Sequence, residues 1–154
     1  MRSRLLIVGV LAALLLPTMS SSGEEPSFND TFSLEWSYDF GDAYITTSPV
    51  FIDEKLFVRT SASWGGSAAP TVAAFTLDGD LEWSATNPHS THHDMSPMFH
   101  VKAGSGDCGS WPDMLVLGWS DGSVEARSTN DGELIWSHKT EQVVWGITGE
   151  VAKD

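Results

Sequence analysis

The chain has 154 residues, 41% of them hydrophobic, and a formal net charge of -13. That length suits about one domain, and a surface of that sign repels nucleic acid and anionic lipid, which excludes both as expected partners. Seven Trp, 14 Gly and a lone Cys108, without Ala-Leu-Lys-Glu runs, indicate an all-β protein with no internal disulfide framework.

Met1-Arg2-Ser3-Arg4 is a basic head, Leu5 to Leu16 is an apolar run, and Pro17 stops it ahead of small residues from Thr18 to Gly23. This is the pattern of a cleaved secretory signal over residues 1–22, with an uncleaved anchor as the other reading. The run is shorter than the ~20 residues a spanning helix needs. The mature chain is therefore expected outside the cytoplasm, at the cell surface or in a periplasm-like space, with no integral membrane span. No Cys follows the run to take a bacterial-type lipid anchor. Residues 23–31 are polar and acidic and read as a linker to a domain over 32–154.

Phe32-Ser33-Leu34-Glu35-Trp36-Ser37-Tyr38 introduces an ending that returns twice, in Leu81-Glu82-Trp83-Ser84 and Leu134-Ile135-Trp136-Ser137. The later two copies each follow a turn, Asp78-Gly79 and Asp131-Gly132, with Trp four positions after Gly. Asp tolerates left-handed geometry and Gly takes positive φ freely, so each copy reads as a hairpin closed by an aromatic plug. Ser48-Pro49 recurs as Ser96-Pro97 ahead of the second unit. The tryptophans repeat at roughly fifty residues, the period of propeller or solenoid architecture.

Each unit divides into four expected strands: Ile45–Ile52, Lys55–Ser63, Thr71–Leu77 and Leu81–Thr86, then Asp94–Lys102, Asp113–Ser120, Ser123–Ser128 and Leu134–Thr140. Residues 65–70 and 103–112 read as longer loops, and a third unit opens at Val143. Trp83 and Trp136 are expected to be buried in equivalent places.

Ala74-Phe75-Thr76-Leu77-Asp78-Gly79-Asp80-Leu81-Glu82-Trp83 and Ala126 to Trp136 resemble the tryptophan-docking motif of pyrroloquinoline-quinone-type (PQQ-like) repeat propellers. The Asp that follows Ala in that motif is replaced here, by Thr76 and Ser128. The resemblance covers Phe32 to Ala152. It implies a β-propeller of four-stranded antiparallel blades: two full blades, the start of a third, and Phe32–Phe40 as a closing outer strand. A closed ring takes ~4–8 blades, so a fragment of a longer secreted protein is expected, with assembly from several short chains as the alternative. Tryptophan-aspartate repeats fit less well, because here Trp follows the turn and no Gly-His opens the unit.

Quinoproteins of this fold hold quinone and calcium with a Glu-Asn-Asp set, an Arg, a stacking Trp and often a vicinal Cys pair. This chain has no Cys-Cys and no set that matches residue by residue. The resemblance therefore implies a non-catalytic scaffold for protein partners without a cofactor, as in the propeller subunit of the outer-membrane barrel assembly machinery; PQQ and calcium belong to the alternative, a quinoprotein oxidoreductase fragment. His89, His92, His93 and Asp94, with His100 nearby, form a candidate metal site, since imidazole and carboxylate suit zinc or copper. Their spacing fits no established signature, and polar residues connecting two blades are the plainer reading. Trp64, Trp111, Trp119 and Trp145 offer either packing between blades or binding platforms. Cys108 reads as a free thiol.

Overall fold

The computed structural model describes residues 33–62, 67–90, 94–107, 109–142 and 144. The expected leader, the linker, Trp64, His92, His93, Cys108, Trp145 and most of the third unit lie outside them. Leu34–Asp154 forms one compact unit. Its described part contains eleven strands, paired antiparallel throughout. Among the described residues no helix is long and apolar enough to cross a membrane.

The first sheet contains β1 (Tyr44–Ile45), β2 (Val50–Ile52), β3 (Lys55–Ser61), β4 (Thr71–Thr76) and β5 (Leu81–Thr86). β1 and β2 share one edge of β3, Tyr44 facing Ser61 and Val50 facing Phe57. The expected strand Ile45–Ile52 is thus split. Pro49 has no N–H to give a ladder, and Thr46 leaves the sheet to donate its hydroxyl to the Asp94 carbonyl at 3.1 Å. β3 and β4 are covered on both faces, which is why Leu56–Val58 and Val72–Phe75 read as apolar runs rather than alternating ones.

The second sheet runs β11 (Leu134–Lys139), β10 (Ser123–Ser128), β9 (Met114–Gly118), β6 (Phe99–Val101). Between β6 and β9 the chain forms a two-stranded ribbon, β7 (Gly104–Gly106) and β8 (Gly109–Trp111), where a plain loop was expected. Glycine makes the ribbon possible: a Cβ on Gly104 would come within 2.8 Å of the Trp111 ring. Trp111 Nε1 then donates to the Lys102 carbonyl at 2.9 Å. β6 is shorter than the expected Asp94–Lys102, because Asp94 and Ser96 turn inward instead of pairing.

The two sheets repeat each other in register. One row crosses the first as Val50, Phe57, Ala74, Trp83, and the matching row crosses the second as Phe99, Val116, Ala126, Trp136. The ladder shifts just after Ala in both, at Ala74/Phe75 and Ala126/Arg127. The Ser-Pro landmarks do not keep this register. Val50 is two positions after Ser48, whereas Phe99 is three positions after Ser96. A one-residue slip reverses the face a side chain takes, and Ser96 is fully buried while Ser48 is exposed.

The main core lies between the sheets. Ile52, Phe57, Val72, Ala74 and Trp83 of the first meet Met98, Leu115, Leu117 and Trp119 of the second. On its other face the first sheet buries Val58, Ala73 and Phe75 beneath Trp36 and Phe40. The expected closing strand is not a strand in its described part: residues 33–40 enter no ladder. They are held through side chains, with Trp36 stacked on Phe75 at 5.7 Å and Tyr38 edge-on to it at 4.8 Å. The described residues form two packed sheets and no closed ring.

Candidate functional site

Two turns define the repeat interface. In the first, Thr76 N donates to Asp80 O at 2.9 Å and Gly79 N to Thr76 O at 3.1 Å. In the second, Ser128 N donates to Glu133 O at 2.9 Å and Gly132 N to Ser128 O at 3.0 Å. The second turn is one residue longer but bonded alike, so Thr76 corresponds to Ser128 and Leu77 to Thr129. Both glycines hold positive φ, +91° at Gly79 and +74° at Gly132, a region open to glycine because it has no Cβ.

Each glycine carries a tryptophan from the preceding element. Trp83 of the first sheet lies over Gly132 of the second, and its Nε1 donates to the Thr129 carbonyl at 3.3 Å. Trp36 lies over Gly79 in the same manner, with Nε1 donating to the Leu77 carbonyl at 2.8 Å. The two acceptors are corresponding residues. Asp78 and Asp131 are exposed on these turns; Asp131 Oδ1 accepts from Glu133 N at 3.1 Å. That bond and the contact with Ser128 hold its carboxyl below the usual carboxylate range.

Trp136 departs from the expectation of burial. It keeps the register of Trp83, yet it is 41% exposed where Trp83 is 9% exposed. Leu134 and Ile135 beside it are exposed as well. Trp83 is covered by a following Gly turn, and no such turn covers Trp136 among the described residues.

A polar node pins the connection between the sheets. Arg59, on the core-facing side of β3, is fully buried over the Trp119 ring, 4.8 Å from its centroid. It donates to the Asp94 carboxylate and to the carbonyls of Ser96 and Gly118. The other Asp94 oxygen accepts from the Ser90 hydroxyl at 2.5 Å, and that hydroxyl accepts from Ser120 N at 3.0 Å. Burial lowers the Arg59 guanidinium to about 10, against an opposing effect of the Glu125 charge. It remains cationic at neutral pH, as its pairing with Asp94 requires. Arg59 was legible as a lone charge in the run Leu56-Phe57-Val58-Arg59, but its partners lie 35 to 59 residues away.

The proposed metal constellation does not come together in its described part. Asp94 is committed to Arg59 and Ser90, while His89 is exposed, its backbone N donating to Asn87 Oδ1 at 3.0 Å. His100 turns to Asp113, Nε2 to Oδ1 at 2.6 Å. Burial alone would raise the Asp113 carboxyl, but hydrogen bonds from His100, Ala103 N and Thr129 carry it below the usual range. Among the described residues no group of three or more His, Cys, Asp or Glu is placed to hold a metal. Arg59 above Trp119 is the described pair most like the Arg and Trp of a quinone site, and it does not fit. Both side chains are fully buried against protein, leaving no space for a flat polycyclic ligand between them. A cavity of about 140 Å³ at the seam, lined by Ile52, Asp53, Lys55, Phe57, Thr129 and Asn130, is well below the roughly 300–1,000 Å³ of small-molecule sites.

Compared with known proteins, the sequence matches no family model and no curated relative.

Proposed function

We propose that the chain is part of an extracytoplasmic β-propeller of PQQ-like repeats, serving as a non-catalytic scaffold for protein partners. The carrying observation is the twofold docking of Trp36 on Gly79 and Trp83 on Gly132, with corresponding carbonyl acceptors. Sheets joined this way stack side by side at a constant step, and a propeller is a ring of such steps. The Arg59–Asp94 node, whose hydrogen bonds run to the Ser96 and Gly118 carbonyls and the Ser90 hydroxyl, favours a structural task over turnover. The leader pattern favours a place outside the cytoplasm.

The test is expression of the tagged chain in its source cell, followed by fractionation and cross-linking. Recovery outside the cytoplasm with the leader removed, and cross-linked protein partners that survive metal chelation, is the expected result. Dye reduction by the purified chain that depends on added quinone and calcium would overturn the scaffold reading in favour of an oxidoreductase.

A further inference from the structure

Gly79 and its turn are built to receive a tryptophan carried on a sheet, yet the tryptophan they hold comes from a segment that forms no strand. We propose that this turn is a shared acceptor, occupied in the single chain by Trp36 and open, when Trp36 lifts away, to Trp136 of a second copy of this chain. The inference uses the repeat geometry of the propeller reading and is independent of the scaffold role.

Complementarity is visible inside the molecule. Trp136 corresponds to Trp83 by register and bulge, and the Gly79 turn corresponds to the Gly132 turn by its hydrogen bonds. Trp136 on Gly79 of a second copy therefore reproduces an interface the chain already makes between its own sheets. The donor side stands exposed along Leu134, Ile135 and Trp136. The acceptor side is guarded by a displaceable strap. Residues 34–40 are outside any ladder, so lifting them breaks no strand pairing; it ends, among other contacts, the Trp36 Nε1 bond and the ring contacts with Phe75, and it uncovers Val58 and Ala73. Such a contact is head-to-tail, and successive copies build either a ring or an open filament, according to whether the rotation closes.

Two effects hold the chain apart at low concentration. The strap is tethered to its site, and a short tether gives an effective concentration on the order of millimolar, which a second copy must match. Each copy also carries a net charge of -13, so repulsion between copies weakens the contact at low salt.

Sedimentation velocity on Trp36→Ala, Trp136→Ala and the double variant, at low and at molar salt, tests this. Trp36→Ala should associate at a concentration about ten-fold or more below that of the unaltered chain, most strongly at high salt, and the double variant should be monomeric. A monomeric Trp36→Ala with a retained β-sheet circular dichroism spectrum overturns the proposal. So does association that persists in the double variant. Should Trp36→Ala lose the fold, a photo-cross-linking residue at position 134, which leaves Trp136 in place in the otherwise unaltered chain, reads the contact directly at millimolar concentration. Cross-links to residues 77–81 of a second copy support it, and their absence overturns it. Either failure leaves the scaffold role standing, because partner capture and localisation are measured separately.

Discussion

Gly132 lies so close beneath the indole of Trp83 that a Cβ on it would stand 2.5 Å from the ring. The same holds for Gly79 beneath Trp36, at 2.6 Å. Gly132→Ala therefore adds a clash to the cost of positive φ, and it should destabilise the chain by roughly 3 kcal/mol. Gly41, also at positive φ but with nothing within 4 Å of a Cβ, isolates the backbone part. Gly41→Ala should cost only about 1 kcal/mol. Urea unfolding of the two variants measures the difference, and equal losses would mean that Trp83 gives way freely.

The β2–β3 hairpin stores strain. Ile52 pairs with Lys55, so Asp53 and Glu54 are its two turn residues, and both hold positive φ, at 45° and 65°. A two-residue turn of this kind favours Asn-Gly. Replacing Asp53-Glu54 by Asn-Gly should stabilise the chain by about 1 kcal/mol. Thermal unfolding reads this as a higher Tm with the same circular dichroism spectrum.

Arg59 and Asp94 are each fully buried, so removing one partner strands the other. Arg59→Met or Asp94→Asn alone should cost roughly 3–5 kcal/mol. The double variant should cost clearly less than the sum. A double-mutant cycle in urea separates this coupling from simple loss of packing, which would give additive effects.

Asp121 ties Ser123 and Lys139 together across β10 and β11. Burial alone would raise its carboxyl, but hydrogen bonds from the Ser123 hydroxyl and N, Lys139 and Asn87 hold it well below the usual range. A carboxyl depressed in the folded state contributes stability that is complete above its unfolded value, about 3.9, and is lost as pH falls toward the folded value. The Tm advantage of the native chain over Asp121→Asn should be full at pH 7 and should shrink steadily below about pH 4. Calorimetry across that range checks it; a gap that does not change with pH would assign the effect to shape rather than charge.

Two strands, Leu81–Thr86 and Ser123–Ser128, take the bounds the alternation of side chains predicts. The Asp-Gly turns are where their local chemistry puts them. These features were legible because each depends on neighbours in the chain: period two in a strand, positive φ at Gly, and a plug at a constant distance from its turn. The β7–β8 ribbon was not legible, since it depends on Trp111 folding back onto Gly104. The break between β1 and β2 was hidden as well, because Thr46 is drawn out of the sheet by the Asp94 carbonyl 48 residues on.

The sequence by itself determined the all-β class, the Asp-Gly turns, and which tryptophans correspond, since these depend on residues close together in the chain. Only the tertiary structure decided what each tryptophan rests on. Trp83 and Trp136 share a motif, a register and a bulge, yet one is buried and the other half exposed. Burial belongs to the neighbour that arrives, and for Trp83 that neighbour, Gly132, lies 49 residues further along the chain.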